Sequence, residues 1–297
     1  MSDGVLLVAH GTVEDLADLP EFVRRIRRGR PAPAGLIEEL RKRYEWIGGS
    51  PLLATTKRQA EALAKRLALP VLVGMRLWQP EVAEAIGGAA QLGIRRLCVL
   101  PMAPFSVHIY CEHARGEYER LAQTLGSRAP VLVDAAPWGT APSFIDAYCA
   151  SIRQALVGAE QHALILTAHS LPTRIIQAGD PYVVQFEAAV AAVSEQLGRE
   201  ATLAYQSQGA DGGQWLGPSL QDALSATKAR GQSGVVVAPV GFVAEHVETL
   251  YDLDVEARAH AEALGLAFRR VAALDESPAL VATLAQVAQA ALSRDGS

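Results

Sequence analysis

Leu164-Ile165-Leu166-Thr167-Ala168-His169-Ser170-Leu171-Pro172 is the stretch from which the fold can be read. A short apolar run with a β-branched residue reads as a strand buried on both faces of a parallel sheet. It ends in histidine, serine and proline, so the imidazole of His169 sits at the strand's carboxyl end. In open α/β sheets that edge is where ligands bind. Leu6-Leu7-Val8-Ala9-His10-Gly11-Thr12 repeats the layout: apolar strand, Ala-His, a small residue, a turn. The echo predicts two similar lobes, each offering one imidazole to a common cleft.

Outward from these strands the pattern alternates. Further strands are expected at 70–75, 96–101, 131–135, 201–206, 234–240 and 267–271. Helices are expected at 21–28, 34–46, 55–67, 80–92, from about 105 to 125, and at 142–156, 181–197, 219–229, 245–263 and 279–292. Strands alternating with helices of this length give an α/β fold, here two Rossmann-like lobes, each a parallel sheet flanked by helices. No low-complexity linker separates them, and the helix at 142–156 is the expected junction. The expected division is 1–145 and 146–274, with the last helix, 275–297, packing back on the first lobe.

The chain has 297 residues, half of them hydrophobic and a fifth charged, which is enough to bury a sizeable core. A formal charge of −5 with no basic block speaks against nucleic acid as a partner. No apolar run approaches the ~20 residues of a membrane span, and no charged-then-apolar leader opens the chain. Cys98, Cys111 and Cys149 are scattered and odd in number, so a disulfide framework, a CxxC metal site and an all-cysteine Fe–S cluster are not expected. These features predict a reduced, cytoplasmic protein. GxGxxG, GxxxxGK[ST] and GxSxG are all missing, so nucleotide cofactors and a serine nucleophile lose their usual anchors.

Two constellations carry candidate chemistry. Val240-Gly241-Phe242-Val243-Ala244-Glu245-His246-Val247-Glu248 follows another strand end, and Glu248 then opens a spacing of four with Asp252, Glu256 and His260. On a helix those positions share a face. Such a row is commonly just a solvated face, yet like charges at that spacing weaken a helix, and a divalent cation offsets the repulsion. Carboxylates and imidazole suit Fe²⁺ and similar metals. They also suit proton transfer, and the residues allow both readings. In the first lobe Arg27, Arg28, Arg30 and Arg43, with Tyr44, Ser50 and Tyr110, form a second constellation together with Gly48-Gly49-Ser50-Pro51. Arginines grip carboxylates through paired hydrogen bonds, so the loop reads as built for an anionic ligand. Trp46, Trp78, Trp138 and Trp215 supply flat apolar surface, for the core by default and for a pocket otherwise.

With these residues in view, the chain resembles the ferrochelatases over essentially its full length. The resemblance lies in Thr167-Ala168-His169-Ser170-Leu171-Pro172, Gly179-Asp180-Pro181-Tyr182, Tyr205-Gln206-Ser207-Gln208, Trp215-Leu216-Gly217-Pro218 and Pro239 through Asp252. The front end, Ile26 to Pro31 and Arg43 to Leu52, is similar to the short coproporphyrin III ferrochelatases. The resemblance implies insertion of Fe²⁺, a substrate rather than a resident cofactor, into a porphyrin in haem biosynthesis. Coproporphyrin III is the favoured porphyrin and protoporphyrin IX the alternative. It implies His169 and Glu248 as the catalytic and metal-site pair, and Asp252 and Glu256 as an acidic path for metal delivery. Arg27, Arg43, Tyr44, Ser50 and Tyr110 match porphyrin-contacting positions. The lack of a C-terminal extension and of a fourth cysteine predicts a monomer without an Fe–S cluster. His10 departs from the pattern: the coproporphyrin subgroup carries tyrosine there, whereas cobalt and sirohydrochlorin chelatases end their first strand in histidine. A chelatase of that kind and a non-catalytic tetrapyrrole carrier therefore stand as rival readings.

Overall fold

In the computed structural model, residues 2–209 and 213–294 are described. The chain divides into two compact units, the first formed by Met1–Arg41, Ser50–Trp138 and Asp275–Ser297, the second by Lys42–Gly49 and Gly139–Leu274.

The first unit holds strands β1 (Asp3–Ala9), β2 (Val71–Met75), β3 (Arg96–Pro101) and β4 (Val131–Asp134). They form one parallel sheet in the order β2-β1-β3-β4. Val5 through Val8 and Leu97 through Leu100 are wholly buried, as strands covered on both faces must be. Helices α1 (Leu19–Ile26), α2 (Leu36–Trp46) and α3 (Leu52–Leu67) connect β1 to β2. Helix α4 (Val82–Gln91) leads to β3, and α5 (Val107–Leu125) leads to β4. The unit boundary falls inside α2, between Arg41 and Lys42.

The second unit opens with α6 (Pro142–Leu156) and repeats the plan with β5 (Ala163–His169), β6 (Ala201–Gln206), β7 (Gly234–Ala238) and β8 (Ala267–Arg270). The order is β6-β5-β7-β8, again parallel throughout. A short α7 (Thr173–Gln177), which the sequence pattern does not signal, precedes α8 (Tyr182–Leu197), and α9 (Leu220–Ala229) leads to β7. In both sheets the chain leaves the first strand in one direction and returns on its other side. The switch point therefore lies between β1 and β3, and between β5 and β7, at their carboxyl ends. The final helix belongs to the first unit, where Pro278–Arg294 packs on α3 and β3. No helix among the described residues is long and apolar enough to cross a membrane.

One expectation is corrected. The single helix at 245–263 is instead α10 (Val247–Leu250), a π-helical stretch Asp252–Ala257, and α11 (Arg258–Ala263). The Tyr251 carbonyl accepts from both Val255 N (3.0 Å) and Glu256 N (3.2 Å), the widened turn of a π-bulge. Four α-helical residues overshoot a full turn by roughly 40°, and a widened turn rotates the next step back. Glu256 is thereby kept beside Asp252 on the side facing Arg43.

Candidate active site

β5 ends on His169, and its backbone is pinned on three sides. The Ser170 amide donates to the Gln206 carbonyl (2.7 Å), the Ser170 hydroxyl to the Leu216 carbonyl (3.0 Å), and the buried Tyr182 hydroxyl to the His169 carbonyl (2.8 Å). Across the switch point, the loop after β7 runs against β5. The Gly241 amide donates to the Thr167 carbonyl at 3.0 Å. A Cβ at Gly241 would stand 2.8 Å from the Cα of Ala168, so only glycine permits this approach. Tyr148, fully buried, donates to the carbonyls of Pro239 and Phe242 and fixes the same loop. Phe242 then stacks obliquely on His246 at 5.0 Å.

That loop delivers Glu248 to His169. One carboxylate oxygen lies 3.4 Å from His169 Nε2, the other 3.3 Å from His246 Nε2. On both rings Nδ1 faces a backbone carbonyl, Ser170 O at 2.5 Å and Ala244 O at 3.1 Å. A carbonyl only accepts, so each Nδ1 carries the hydrogen and each Nε2 points at Glu248. A carboxylate held between two such nitrogens calls for a proton or a cation. Gln206 supports it from beneath, donating to the Glu248 carbonyl (2.9 Å) while accepting from Thr167 (2.6 Å).

Electrostatics follow this geometry. Burial opposes an imidazolium at His169, but the Glu248 charge, its hydrogen bond and the Ser170 carbonyl outweigh burial and raise the pKa. Burial likewise pushes Glu248 up, yet His169 and His246 together hold it well below the usual carboxylate range. Asp252 goes the other way. Burial and the nearby Glu248 charge push it up to about 6, against the pull of Ser207 and Arg43.

Asp252 and Glu256 share one guanidinium. Arg43 Nη1 donates to Asp252 Oδ1 at 2.8 Å and Nη2 to Glu256 Oε1 at 3.0 Å. The other Asp252 oxygen accepts from the Ser207 hydroxyl at 2.5 Å, from a residue held at φ 58. The four residues expected to form the metal pair and the acidic path thus fall into two pairs, His169 with Glu248 and Asp252 with Glu256. Among the described residues, no group of three or more His, Cys, Asp or Glu side chains forms a ready metal-holding set.

The remaining candidates divide between the units. In the second, Tyr44 is buried. In the first, His10 is exposed just beyond β1, its Nδ1 3.4 Å from the Tyr110 hydroxyl, and the Arg76 guanidinium lies 5.4 Å from the Tyr110 ring. Arg27 Nε donates to the Pro31 carbonyl at 3.0 Å, and Ser50 Oγ stands 3.5 Å from Leu52 N. Of the tryptophans, Trp138 is core, its indole donating to the Pro101 carbonyl, while Trp46 is 61% exposed. His246, Gln206 and Ser207 lie in quoted stretches of the sequence but receive no site role from it. His246 carried a signal, two residues before Glu248 in Glu-His-Val-Glu; the other two are legible only once β6 pairs with β5.

A family model described as ferrochelatase matches residues 2–292. The chain belongs to the ferrochelatase family. A ferrochelatase of Acidobacterium capsulatum is 36% identical over 98% of this chain and 94% of its own length. A coproporphyrin III ferrochelatase of Geobacillus sp. is 33% identical over 96% of both chains. Among solved structures, Bacillus subtilis SirB with Fe³⁺ superposes with a TM-score of 0.64 at 12% identity, covering all of this chain and 98% of that one, a likeness of fold. The chain is thus a metal chelatase enzyme of haem biosynthesis, with iron as its metal substrate and a porphyrin as the acceptor.

Proposed function

We propose that this ferrochelatase inserts Fe²⁺ into coproporphyrin III, with His169 and Glu248 at the point of insertion. The reading rests above all on one observation: Glu248 stands between two Nε2 atoms at the β5–β7 switch point. Insertion releases two pyrrole N–H protons for each ion that enters. His169 Nε2 takes up one of them, the second passes to solvent water, and the ionised Glu248 balances the imidazolium that results. Asp252 and Glu256 exchange the ion's water for carboxylate oxygen, which hard and borderline divalent cations accept. The choice of porphyrin follows the relatives named for coproporphyrin III, which match along nearly the whole chain. It also follows chemistry. Coproporphyrin III has four propionates where protoporphyrin IX has two, and Arg27 and Arg43 suit carboxylates.

The test is anaerobic turnover of Fe²⁺ with each porphyrin, in the native enzyme and in His169→Ala. Coproporphyrin III is expected to turn over faster, and His169→Ala to lose about 10²- to 10⁴-fold of that rate, the range for a lost proton acceptor. Porphyrin affinity should stay within about twofold. Faster turnover of protoporphyrin IX replaces the substrate, binding without turnover of either makes the protein a carrier, and full activity of His169→Ala removes His169 from the chemistry.

A further inference from the structure

Arg43 stands among groups of two kinds. Its guanidinium bridges Asp252 and Glu256, the two carboxylates assigned above to metal delivery. It also lies 5.1 Å from the ring centre of Tyr251, and Tyr251 meets the exposed Trp46 edge-on at 5.9 Å. Trp46 follows Arg43 by three residues on α2 and so shares its face of the helix. A cation thus sits on the acidic pair next to an exposed aromatic surface, where a flat, carboxylate-bearing macrocycle has something to lie against.

A guanidinium and a divalent ion repel each other and cannot both hold the same two carboxylate oxygens. Arg43 is long enough to exchange one carboxylate partner for another, and its fork fits a propionate as well as it fits Asp252. We propose that Arg43 is a positioning residue that couples the two substrates. Without porphyrin it neutralises Asp252 and Glu256 and keeps metal off them. A porphyrin carboxylate draws it away and leaves the pair open to the ion. This inference rests on the assignment of Asp252 and Glu256 to metal delivery, and it makes porphyrin binding the step that arms the metal path. Linkage then requires the coupling to run both ways: metal at the pair must tighten the porphyrin by the same factor.

The test measures Co²⁺ affinity by calorimetry, with and without copper(II) coproporphyrin III, whose ring is already filled and takes no second ion. In the native enzyme the copper porphyrin should tighten Co²⁺ about tenfold, and its tetramethyl ester, which lacks carboxylates, should not. Arg43→Gln alone should bind Co²⁺ about tenfold more tightly than the native enzyme, and copper coproporphyrin III should add less than about twofold to that. Adding Glu256→Gln to Arg43→Gln should reverse the gain, which locates the ion at the pair. Arg43→Lys, which presents a point charge rather than a fork, should fall between native and Gln and serves if the Gln variant does not fold. Unchanged or weaker Co²⁺ binding in Arg43→Gln overturns the proposal, as does coupling that survives there, or a gain that Glu256→Gln leaves in place. None of these readouts involves turnover, so failure of the coupling is distinct from failure of iron insertion in the His169→Ala comparison.

Discussion

β1 and β5 occupy the same place in sheets of the same strand order, and each leads into a histidine at its carboxyl end. Their surroundings differ. His10 is exposed, beside a phenol whose ring lies 5.4 Å from the Arg76 guanidinium. His169 has its carbonyl, its Nδ1 and its neighbouring serine all anchored, and it faces a carboxylate shared with a second imidazole. One topology thus presents the same residue twice, and the copy at His169 is built into a charged, hydrogen-bonded frame. Strand-end position marks where a site can form; the loop from the neighbouring strand decides whether it does.

The strongest way to break that comparison is at Glu248. Glu248→Gln keeps the shape and removes the charge between His169 and His246. Turnover should fall about 10²- to 10⁴-fold. The His169 pKa should drop as well, because the Glu248 carboxylate is what raises it against burial. Histidine NMR titration of the metal-free variant reads this directly, and a His169 pKa that stays raised would show that Glu248 is not the cause.

Next in size is the frame behind the carboxylates. Arg270 donates to Glu245 at 2.6 Å and to both oxygens of Asp254, at 2.9 and 2.8 Å. Glu245 in turn accepts from Thr249 (2.5 Å) and the Ala273 amide (2.9 Å). The clamp brackets the segment that carries Glu248 and Asp252. A second such clamp, in the first unit, is Arg96 with Asp3, at 2.7 Å. The Arg270 side chain is 11% exposed and that of Arg96 is 21%. Removing one partner of a buried pair costs about 3–5 kcal/mol, since it strands the other charge. Arg270→Met should approach that range in denaturant unfolding, and Arg96→Met should cost clearly less. Equal losses would mean that the two clamps do equivalent jobs.

Most of this frame was visible before the structure. Buried runs such as Val5–Ala9 and Leu164–Ala168 marked the parallel strands, and alternation with helices marked two α/β units, because a strand covered on both faces has no polar alternation to disguise it. His169, Glu248, Asp252 and Glu256 were singled out as residues and are neighbours in space. What was not legible is what long-range pairing creates. Ser207 acquires its role from the turn after β6, and Gln206 from its register opposite His169. The spacing predicts plain α-helix across the π-helical turn at Asp252–Ala257, since a widened turn leaves no mark in apolar spacing. Arg43 was read for its fork and matched to anionic substrate, while its carboxylate partners lie more than two hundred positions away in the chain.

A smaller effect belongs to Asp252, whose pKa of about 6 lies above its ordinary 3.8. The folded protein binds this proton more tightly than the unfolded chain does. Stability attributable to the group is therefore lost as pH rises from about 4 through 6, and the loss is complete above that. Asp252→Asn should raise the Tm at pH 8 and leave it nearly unchanged at pH 4. A shift of about two units bounds the gain at roughly 3 kcal/mol. The same variant should be a poorer catalyst, the pattern of a residue retained at some expense of stability. No gain at pH 8 would mean that the bonds from Ser207 and Arg43 fully offset the burial.

The smallest effect sharpens the comparison from its other end. His10 has a hydrogen-bond neighbour in Tyr110 and stands exposed. A residue that contributes wall and hydrogen bonding equally before and during insertion changes binding more than rate. His10→Ala should therefore reduce kcat by no more than about tenfold, about 1.4 kcal/mol, with the larger change in porphyrin KM. Its distinctive readout is the product. If His10 meets the iron after insertion, His10→Ala and His10→Tyr shift the Soret band of the bound iron porphyrin relative to the native complex; if it is only wall, the band stays in place. A kcat loss matching that of Glu248→Gln would erase the asymmetry between the two strand ends and give His10 a part in the chemistry rather than in binding.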